Sequence, residues 1–417
     1  MELDKNDKVY NIEGDCNSSA WTELNLGDLK LDFERNTINE HCKIIFEKSD
    51  NQLFKNSWKI SKINNYSEDF FHINKKIKVT ISQLKRGSKI NGIRYIFYTK
   101  NGNPQLLINV DKFCSVKLSR LIIRDKNNQI SSIANLSNDL TNIKNLDEFN
   151  PPLKKAQPFQ GIKVAIVDTG VNYNLDFISR NISRKDSLTL TGYDFEDNDN
   201  LPYDMDLGRS AFFPMHHGTS VSSIILREAP MSELVVYRFP RSDMCKFDEL
   251  IRHIALNKIK IVNLSMGSSN RNDWDCFYDA ASEYKDILFF VSAGNDGKNI
   301  DENKVFPASF DLENILVISS SDISGDLAQG SNFGKKSVDF LIPGEQIPVI
   351  DHRGVKTKAS GSSFAVPRIV AMAVRLLSFN TDATTIDIKS ALIDRALKNE
   401  NVKFGWIPDP LDNYLLN

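Results

Sequence analysis

At 417 residues, 41% hydrophobic and 25% charged, the chain has material for two or three cores at about 150 residues each and lacks the composition of a disordered or fibrous protein. Lys and Arg number 52 against 54 Asp and Glu, so a net charge of −2 gives no basic field for nucleic acid or a membrane surface. The five cysteines (Cys16, Cys42, Cys114, Cys245 and Cys276) are scattered without a Cys-x-x-Cys pair, which predicts neither a disulfide framework nor a zinc site.

The opening Met1-Glu2-Leu3-Asp4-Lys5 has neither the basic nor the apolar segment of an export signal, and no run approaches the roughly 18 apolar residues of a membrane span, so a cytoplasmic setting is expected. Residues 1–127 carry short alternating stretches such as Lys76-Ile77-Lys78-Val79-Thr80-Ile81 and Arg94-Tyr95-Ile96-Phe97-Tyr98, the period of half-buried strands. Asn101-Gly102 lies between the second of these and Leu106-Leu107-Ile108-Asn109-Val110, which predicts a hairpin. A mostly β N-terminal domain is expected here. Residues 128–160 are polar and close on Asn150-Pro151-Pro152, where paired prolines oppose helix and central strand alike, so they read as a linker.

From 161 to 417 the pattern changes. Near-continuous apolar runs at Ile162–Val167, Leu234–Tyr237, Ile261–Leu264, Ile287–Ser292 and Ile315–Ser319 read as strands buried on both faces. Helical spacing separates them, at Val221, Ile224 and Ile225 and at Phe247, Leu250, Ile251 and Ile254. The expected fold class is α/β, a doubly wound parallel sheet with helices on both faces, preceded by the β domain.

Ligands of open α/β sheets bind beyond the carboxyl ends of the strands. Three positions there are polar: Asp168, Ser265 with Asn263, and Asn295, each of which alone is as well explained by a turn or helix cap. His217 and Ser363 stand where helices are expected to begin, the latter before Phe364-Ala365-Val366-Pro367, whose proline fits a first helical turn. Thr384 and Asp387 predict a capping box for a last helix. A hydroxyl, an imidazole, a carboxylate and an amide donor are the parts that acyl transfer needs.

The order Asp, His, Asn, Ser and its strings resemble those of the subtilisin-like serine proteases (subtilases, peptidase S8). Val164-Ala165-Ile166-Val167-Asp168-Thr169-Gly170 resembles the family's aspartate motif, His217-Gly218-Thr219 its histidine motif, Ala293-Gly294-Asn295 its oxyanion motif and Gly361-Ser362-Ser363-Phe364-Ala365-Val366-Pro367 its nucleophile motif. The resemblance implies a serine endopeptidase working through an acyl-enzyme. In it Ser363 is the nucleophile, His217 moves the proton, Asp168 holds the imidazole, and Asn295 donates to the oxyanion beside the Ser363 N–H. It also implies that Ser265, Met266, Gly267, Ala293 and Gly294 line the substrate backbone, that the substrate is a peptide or protein, and that no organic cofactor or catalytic metal is used. The N-terminal domain is then expected to be a propeptide or docking module that occupies or gates the cleft, in a dedicated processing protease.

Ser220 stands where the family often has a second His, Phe364 where it has Met, and Arg368 where it has His. His216 is the alternative base, but the motif puts the working imidazole directly before Gly218. Calcium is the one ion with an oxygen-rich stretch available, from Asp194 to Asn200 with Asp204 and Asp206, though the spacing is not that of an EF-hand and an ordinary solvated loop fits better. Asp168-Thr169-Gly170 also resembles the aspartic-protease motif, of which no second copy exists in the chain. An α/β-hydrolase needs Gly-x-Ser-x-Gly and the order Ser, Asp, His, whereas Ala365 holds the last glycine position and the order runs the other way. The competing reading from a different class is a catalytically silent peptide-binding scaffold.

Overall fold

The computed structural model describes residues 31–64, 66–126, 128–239 and 243–408; Met1–Lys5 and Cys16, weighed above, lie outside them. The chain forms two compact units. One holds residues up to Pro152 together with Leu207–Pro214, the other Leu153–Asp206 and Met215 onward.

In the first unit, eight strands form one antiparallel meander in chain order: β1 (Trp58–Ile63), β2 (Ser67–His72), β3 (Ile77–Arg86), β4 (Lys89–Tyr98), β5 (Pro104–Asp111), β6 (Val116–Arg124), β7 (Ile130–Leu136) and β8 (Ile143–Glu148). Alternation sends Val79, Ile81, Ile93, Tyr95, Ile108 and Val110 into one core. The expected hairpin joins β4 to β5, with Gly102 at φ +83°, a left-handed conformation that favours glycine. Two helices precede the sheet and were not expected: α1 (Asp32–Phe46), with Asp32 and Glu34 in its first turn and Lys43 in its last, and α2 (Gln52–Ser57), capped by the Asn51 side chain.

Two expectations are corrected in this unit. The stretch 128–160 is not linker throughout, because β7 and β8 complete the sheet and the unit closes at Pro152. The polar sequence of β8 reflects a half-exposed strand, whereas β7 buries Ser132, Ile133, Ala134 and Leu136; the turn between them is closed by side chains, with Ser137 Oγ accepting from the Thr141 and Asn142 N–H groups. Cys42 on α1 pairs with Cys114, in the turn between β5 and β6, as a disulfide with Cα atoms 5.8 Å apart. The partners are 72 residues apart, a separation that no local spacing pattern encodes.

The second unit is built on an eight-stranded parallel sheet. Its strands are β9 (Ile162–Asp168), β10 (Tyr193–Asp194), β11 (Ser232–Arg238), β12 (Ile261–Leu264), β13 (Leu288–Ser292), β14 (Ile315–Ser321), β15 (Phe340–Pro343) and β16 (Gly405–Trp406), in the order β10-β11-β9-β12-β13-β14-β15-β16. The order reverses between β9 and β12, the switch point where a cleft forms. Alternate residues feed two cores. Val164, Ile166, Leu288 and Phe290 pack on one face with the long helix α6 (Ser362–Phe379), beside α3 (Gly218–Glu228). Ala165, Val167, Phe289 and Val291 pack on the other with α4 (Phe247–Leu256) and α5 (Asp275–Glu283). Helices on both faces explain why these strands are buried on both sides and predominantly apolar.

The last helix, α7 (Thr385–Ile393), carries the expected capping box. α6 has the length and apolarity of a membrane span, but most of it is buried in the core. Cys245 and Cys276, 31 residues apart, form the second disulfide, so the expectation of unpaired cysteines fails in both units. Pro367 is also displaced from its expected place: it lies inside α6 beyond the first turn, where it cannot donate to the Ser363 carbonyl one turn back.

Candidate active site

Asp168 ends β9 at the switch point, buried, and both of its carboxylate oxygens lie 2.9 Å from His217 Nδ1. His217 caps α3 without a side-chain cap of its own; its backbone is fixed from outside. Thr169 Oγ1 accepts from the His217 N–H at 3.0 Å and from the Gly218 N–H at 2.9 Å, and donates to Asp204 Oδ1 at 2.6 Å. Asp204 Oδ1 also accepts from the His217 N–H at 3.0 Å, and Oδ2 from the Thr219 N–H at 3.0 Å. A fully buried carboxylate thus serves the open N–H groups at the start of α3, where the helix dipole favours negative charge. Burial raises its pKa, opposed by His216 and by the Thr169 and Thr219 donors. Gly218 permits the approach, since a Cβ there would meet the Gly170 carbonyl at 2.1 Å.

His216 is directed elsewhere. Its Nδ1 lies 2.5 Å from the Asp204 carbonyl oxygen and its ring stacks on His352 with centroids 3.5 Å apart. Burial, and then the neighbouring His216, lower the His352 pKa to about 4.

Ser363 is the second residue of α6, half-buried, and the ring of the next residue, Phe364, packs on the His217 imidazole with centroids 5.2 Å apart. That contact brings the head of the serine helix to the Asp168–His217 pair. The Ser363 carbonyl, which Pro367 cannot engage, accepts from Ser265 Oγ at 3.3 Å, and Ser265 accepts from Asn263 Nδ2 at 3.1 Å. The residue after β12 is thereby tied to the serine turn.

Asn295 belongs to the same cluster. Its Oδ1 accepts from the Ser362 N–H at 2.9 Å and from Ser362 Oγ at 2.9 Å, which fixes the amide plane by its oxygen. Ser362 Oγ also lies 2.7 Å from Ser292 Oγ, which accepts from the Gly294 N–H at 3.2 Å. Gly361 makes the turn possible, with φ +126° and a Cβ position only 3.1 Å from Asn295 Oδ1. Asn332 holds the Ala293–Asn295 loop, donating to the Ala293 carbonyl at 2.8 Å and accepting from the Asp296 and Lys298 N–H groups at 3.0 and 2.9 Å. Met266 packs half-buried on the core, and Gly267 is exposed beside Val305 and Phe306.

Asp168, His217, Asn295, Ser363 and Ser265 therefore gather around one end of the sheet. Four residues of this cluster, Thr169, Asp204, Ser362 and Asn332, receive no role at the site from sequence reasoning, Asp204 being weighed only as a calcium ligand, because each acts through main-chain groups or amide orientation. The Asp-x-Gly and Gly-Ser-Ser contexts of Thr169 and Ser362 were the available signals.

The acidic stretch after β10 is engaged internally. Asp194 pairs with Arg238 at 2.8 Å and accepts from the Glu196 and Asp197 N–H groups, and its burial pushes its pKa up to about 6. Among the described residues no group of three or more His, Cys, Asp or Glu side chains is arranged to hold a metal ion.

Comparison with known proteins places the second unit in a family. The model of the subtilase family matches residues 160–406. The thermophilic serine proteinase of Bacillus sp. (strain AK1) is 27% identical over 258 residues, 57% of this chain and 57% of that protein. The subtilisin-like protease het-Q2 of Podospora anserina is 31% identical over 183 residues, 39% of this chain and 49% of that protein. The chain thus spans only about half the length of the curated relatives it matches. In fold it is similar to the crystal structure of a lanthipeptide protease, with TM-score 0.51 and 17% identity over 62% of this chain and 90% of the other. With the family match covering more than half of the chain, and every residue of the cluster inside it, the chain belongs to the subtilase family.

Proposed function

We propose that the protein is a serine endopeptidase that hydrolyses peptide bonds through an acyl-enzyme on Ser363. The single observation that carries the reading is the buried Asp168 carboxylate on His217 Nδ1, with that imidazole packed against the residue that follows Ser363. Asp168 holds the tautomer in which Nε2 is the proton acceptor, and Ser363 Oγ attacks the scissile carbonyl as His217 accepts its proton. His217 then gives that proton to the leaving amine, and water repeats the sequence to free the acid. With its oxygen held by Ser362, Asn295 has its amide N–H left to donate to the oxyanion alongside the Ser363 N–H. Ser265, Met266 and Gly267 on one side and Ala293 and Gly294 on the other receive the substrate backbone as an added strand. Calcium has no role in these steps.

The substrate is a peptide or protein, and we read the enzyme as a dedicated processing protease in which the N-terminal unit gates the cleft. Supporting this is the segment Leu207–Pro214, which groups with the N-terminal unit yet precedes His217 closely in the chain. Within that unit Arg120 donates to the Phe212 carbonyl at 2.6 Å and lies over the Phe213 ring. Two disulfides favour an oxidising compartment over a cytoplasmic one. The test is a cleavage profile on a peptide library with wild type and Ser363→Ala. A narrow profile lost in the variant is expected; cleavage surviving in Ser363→Ala rejects the mechanism, and a broad profile rejects the processing role. Separately expressed residues 1–155 should inhibit or bind residues 156–417 if the N-terminal unit gates the site.

A further inference from the structure

We infer that Glu228 and Arg368 are positioning residues of this active site, a buried ion pair that sets the helix of the base, α3, against the helix of the nucleophile, α6. The inference rests on the proposed roles of His217 and Ser363. Glu228 is the last residue of α3 and its side chain is fully buried; Arg368 lies in the second turn of α6 and is nearly so. Arg368 Nε donates to Glu228 Oε1 at 3.0 Å and Oε2 at 3.3 Å, while its Nη1 donates to the Pro343 carbonyl at 3.0 Å; the neighbouring, solvent-facing Arg227 also donates to Glu228 Oε1, at 2.7 Å, but from α3 itself. One guanidinium therefore joins the end of α3, the end of β15 and the body of α6.

The attachment to β15 leads directly to the nucleophile. Gly344, the next residue, accepts from the Gly361 N–H at 3.0 Å, and Gly361 is the N-cap from which Ser362 and Ser363 project. Little room exists for slack, because a Cβ on Gly344 would meet Ser320 Oγ at 2.4 Å and Ala365 Cβ at 3.0 Å. Arg375, two turns further along α6, donates to the Glu228 main-chain carbonyl at 2.6 Å, serving an oxygen that the end of α3 leaves open.

Stability alone does not explain such a pair. Desolvation offsets most of the attraction between buried charges, and an apolar pair of similar volume generally holds a fold as well or better. What an apolar pair lacks is direction: the guanidinium and carboxylate fix separation and rotation through their hydrogen bonds. Ser363 is five residues from Arg368, about 7.5 Å along the axis, and His217 is eleven residues from Glu228, about 16 Å. Each helix moves as a rod over such distances, so slip at the pair reaches the catalytic groups. A misplacement of about 1 Å there costs roughly 10² in rate.

The deciding experiment replaces the pair in the full-length protein by Glu228→Leu with Arg368→Met and measures Tm, kcat and KM on a small ester substrate with active sites titrated. The expected result is Tm at or above wild type, KM within about twofold, and kcat lowered by roughly 10². Return of kcat to the wild-type value along with Tm overturns the inference. Should the apolar pair fail to fold, Arg368→Lys decides, since one ammonium cannot span Glu228 and the Pro343 carbonyl as the fork does. A kcat about tenfold down with Tm nearly unchanged supports positioning, and wild-type kcat refutes it. Failure of the underlying reading is distinct: the wild-type enzyme would then itself lack activity dependent on Ser363.

Discussion

Ser362→Ala tests how Asn295, the proposed oxyanion donor, is held. In the wild type the hydrogen bonds run in one direction, from the Gly294 N–H to Ser292 Oγ, from the Ser292 hydroxyl to Ser362 Oγ, and from the Ser362 hydroxyl to Asn295 Oδ1. Removing the Ser362 hydroxyl breaks the last two and leaves the Ser292 proton without that partner in a fully buried place, at a cost of about 1–3 kcal/mol in stability. Asn295 keeps one anchor, the Ser362 N–H, so its amide swings about that contact instead of leaving the site. Loss of the whole side-chain donor in this family is worth roughly 10²–10³ in kcat, which is the ceiling. Half of the anchoring should cost about 1.4 kcal/mol at the transition state, or about tenfold in kcat, with KM little changed. The assay is steady-state hydrolysis of a chromogenic peptide by wild type, Ser362→Ala, Asn295→Ala and the double variant. Coupling is the signature: in the Asn295→Ala background, Ser362→Ala should change kcat by no more than about twofold. Equal losses in both backgrounds would refute the reasoning, because the hydroxyl would then be acting by another route.

Asp204→Asn puts an amide N–H against a backbone N–H at the head of α3, so Tm should fall by the equivalent of about 1–3 kcal/mol and kcat by at least tenfold; wild-type kcat in a folded variant would contradict the clamp. His41, 3.0 Å from the Tyr95 hydroxyl and buried among Phe54 and Phe70, is held by burial at a pKa of about 4 against 6.5. The depressed folded value means that the unfolded chain binds the proton first, so the N-terminal unit should be most stable above pH 6.5 and lose about 3 kcal/mol as pH falls towards 4, with no further loss from this group below that. Urea midpoints across this range should lose most of that slope in His41→Leu, and an unchanged slope refutes the assignment. The Cys245–Cys276 bridge closes a span of 31 residues, which corresponds to about 4 kcal/mol, so Cys245→Ala with Cys276→Ala should lower Tm markedly, and alkylation of the denatured, unreduced protein should mark Cys16 alone; labelling of all five cysteines would rule out both bridges.

The second unit was largely legible because its polar candidates sit at strand ends. Runs such as Leu288–Val291 are apolar on both faces, and Asp168 follows another such run, Val164–Val167. The aromatic and β-branched alternation of β3 to β5 likewise exposed the first sheet. The residues that escaped are those whose partners are distant in sequence or are backbone atoms. Cys42 meets Cys114 across most of a domain, Arg368 meets Glu228 across 140 residues, and Asp204 acts on N–H groups that every residue carries. β8 escaped because a half-exposed strand rich in Asn, Asp and Glu looks like a loop until its neighbours are known, and β7 because Ser131, Ser132 and Asn135 interrupt its apolar pattern although most of it is buried. Pro367 was misplaced by one turn because its usual cost, a helix carbonyl without a donor, is offset here by the Ser265 hydroxyl.

The central claim is that a particular hydroxyl is made nucleophilic by the pair beside it, and active-site labelling with a fluorophosphonate, mapped by peptide mass, tests it most directly. One label per folded molecule on Ser363, absent in Ser363→Ala and slowed by orders of magnitude in His217→Ala, is the predicted result. A folded protein that takes no label, or takes it on Ser362 or elsewhere, would contradict the account.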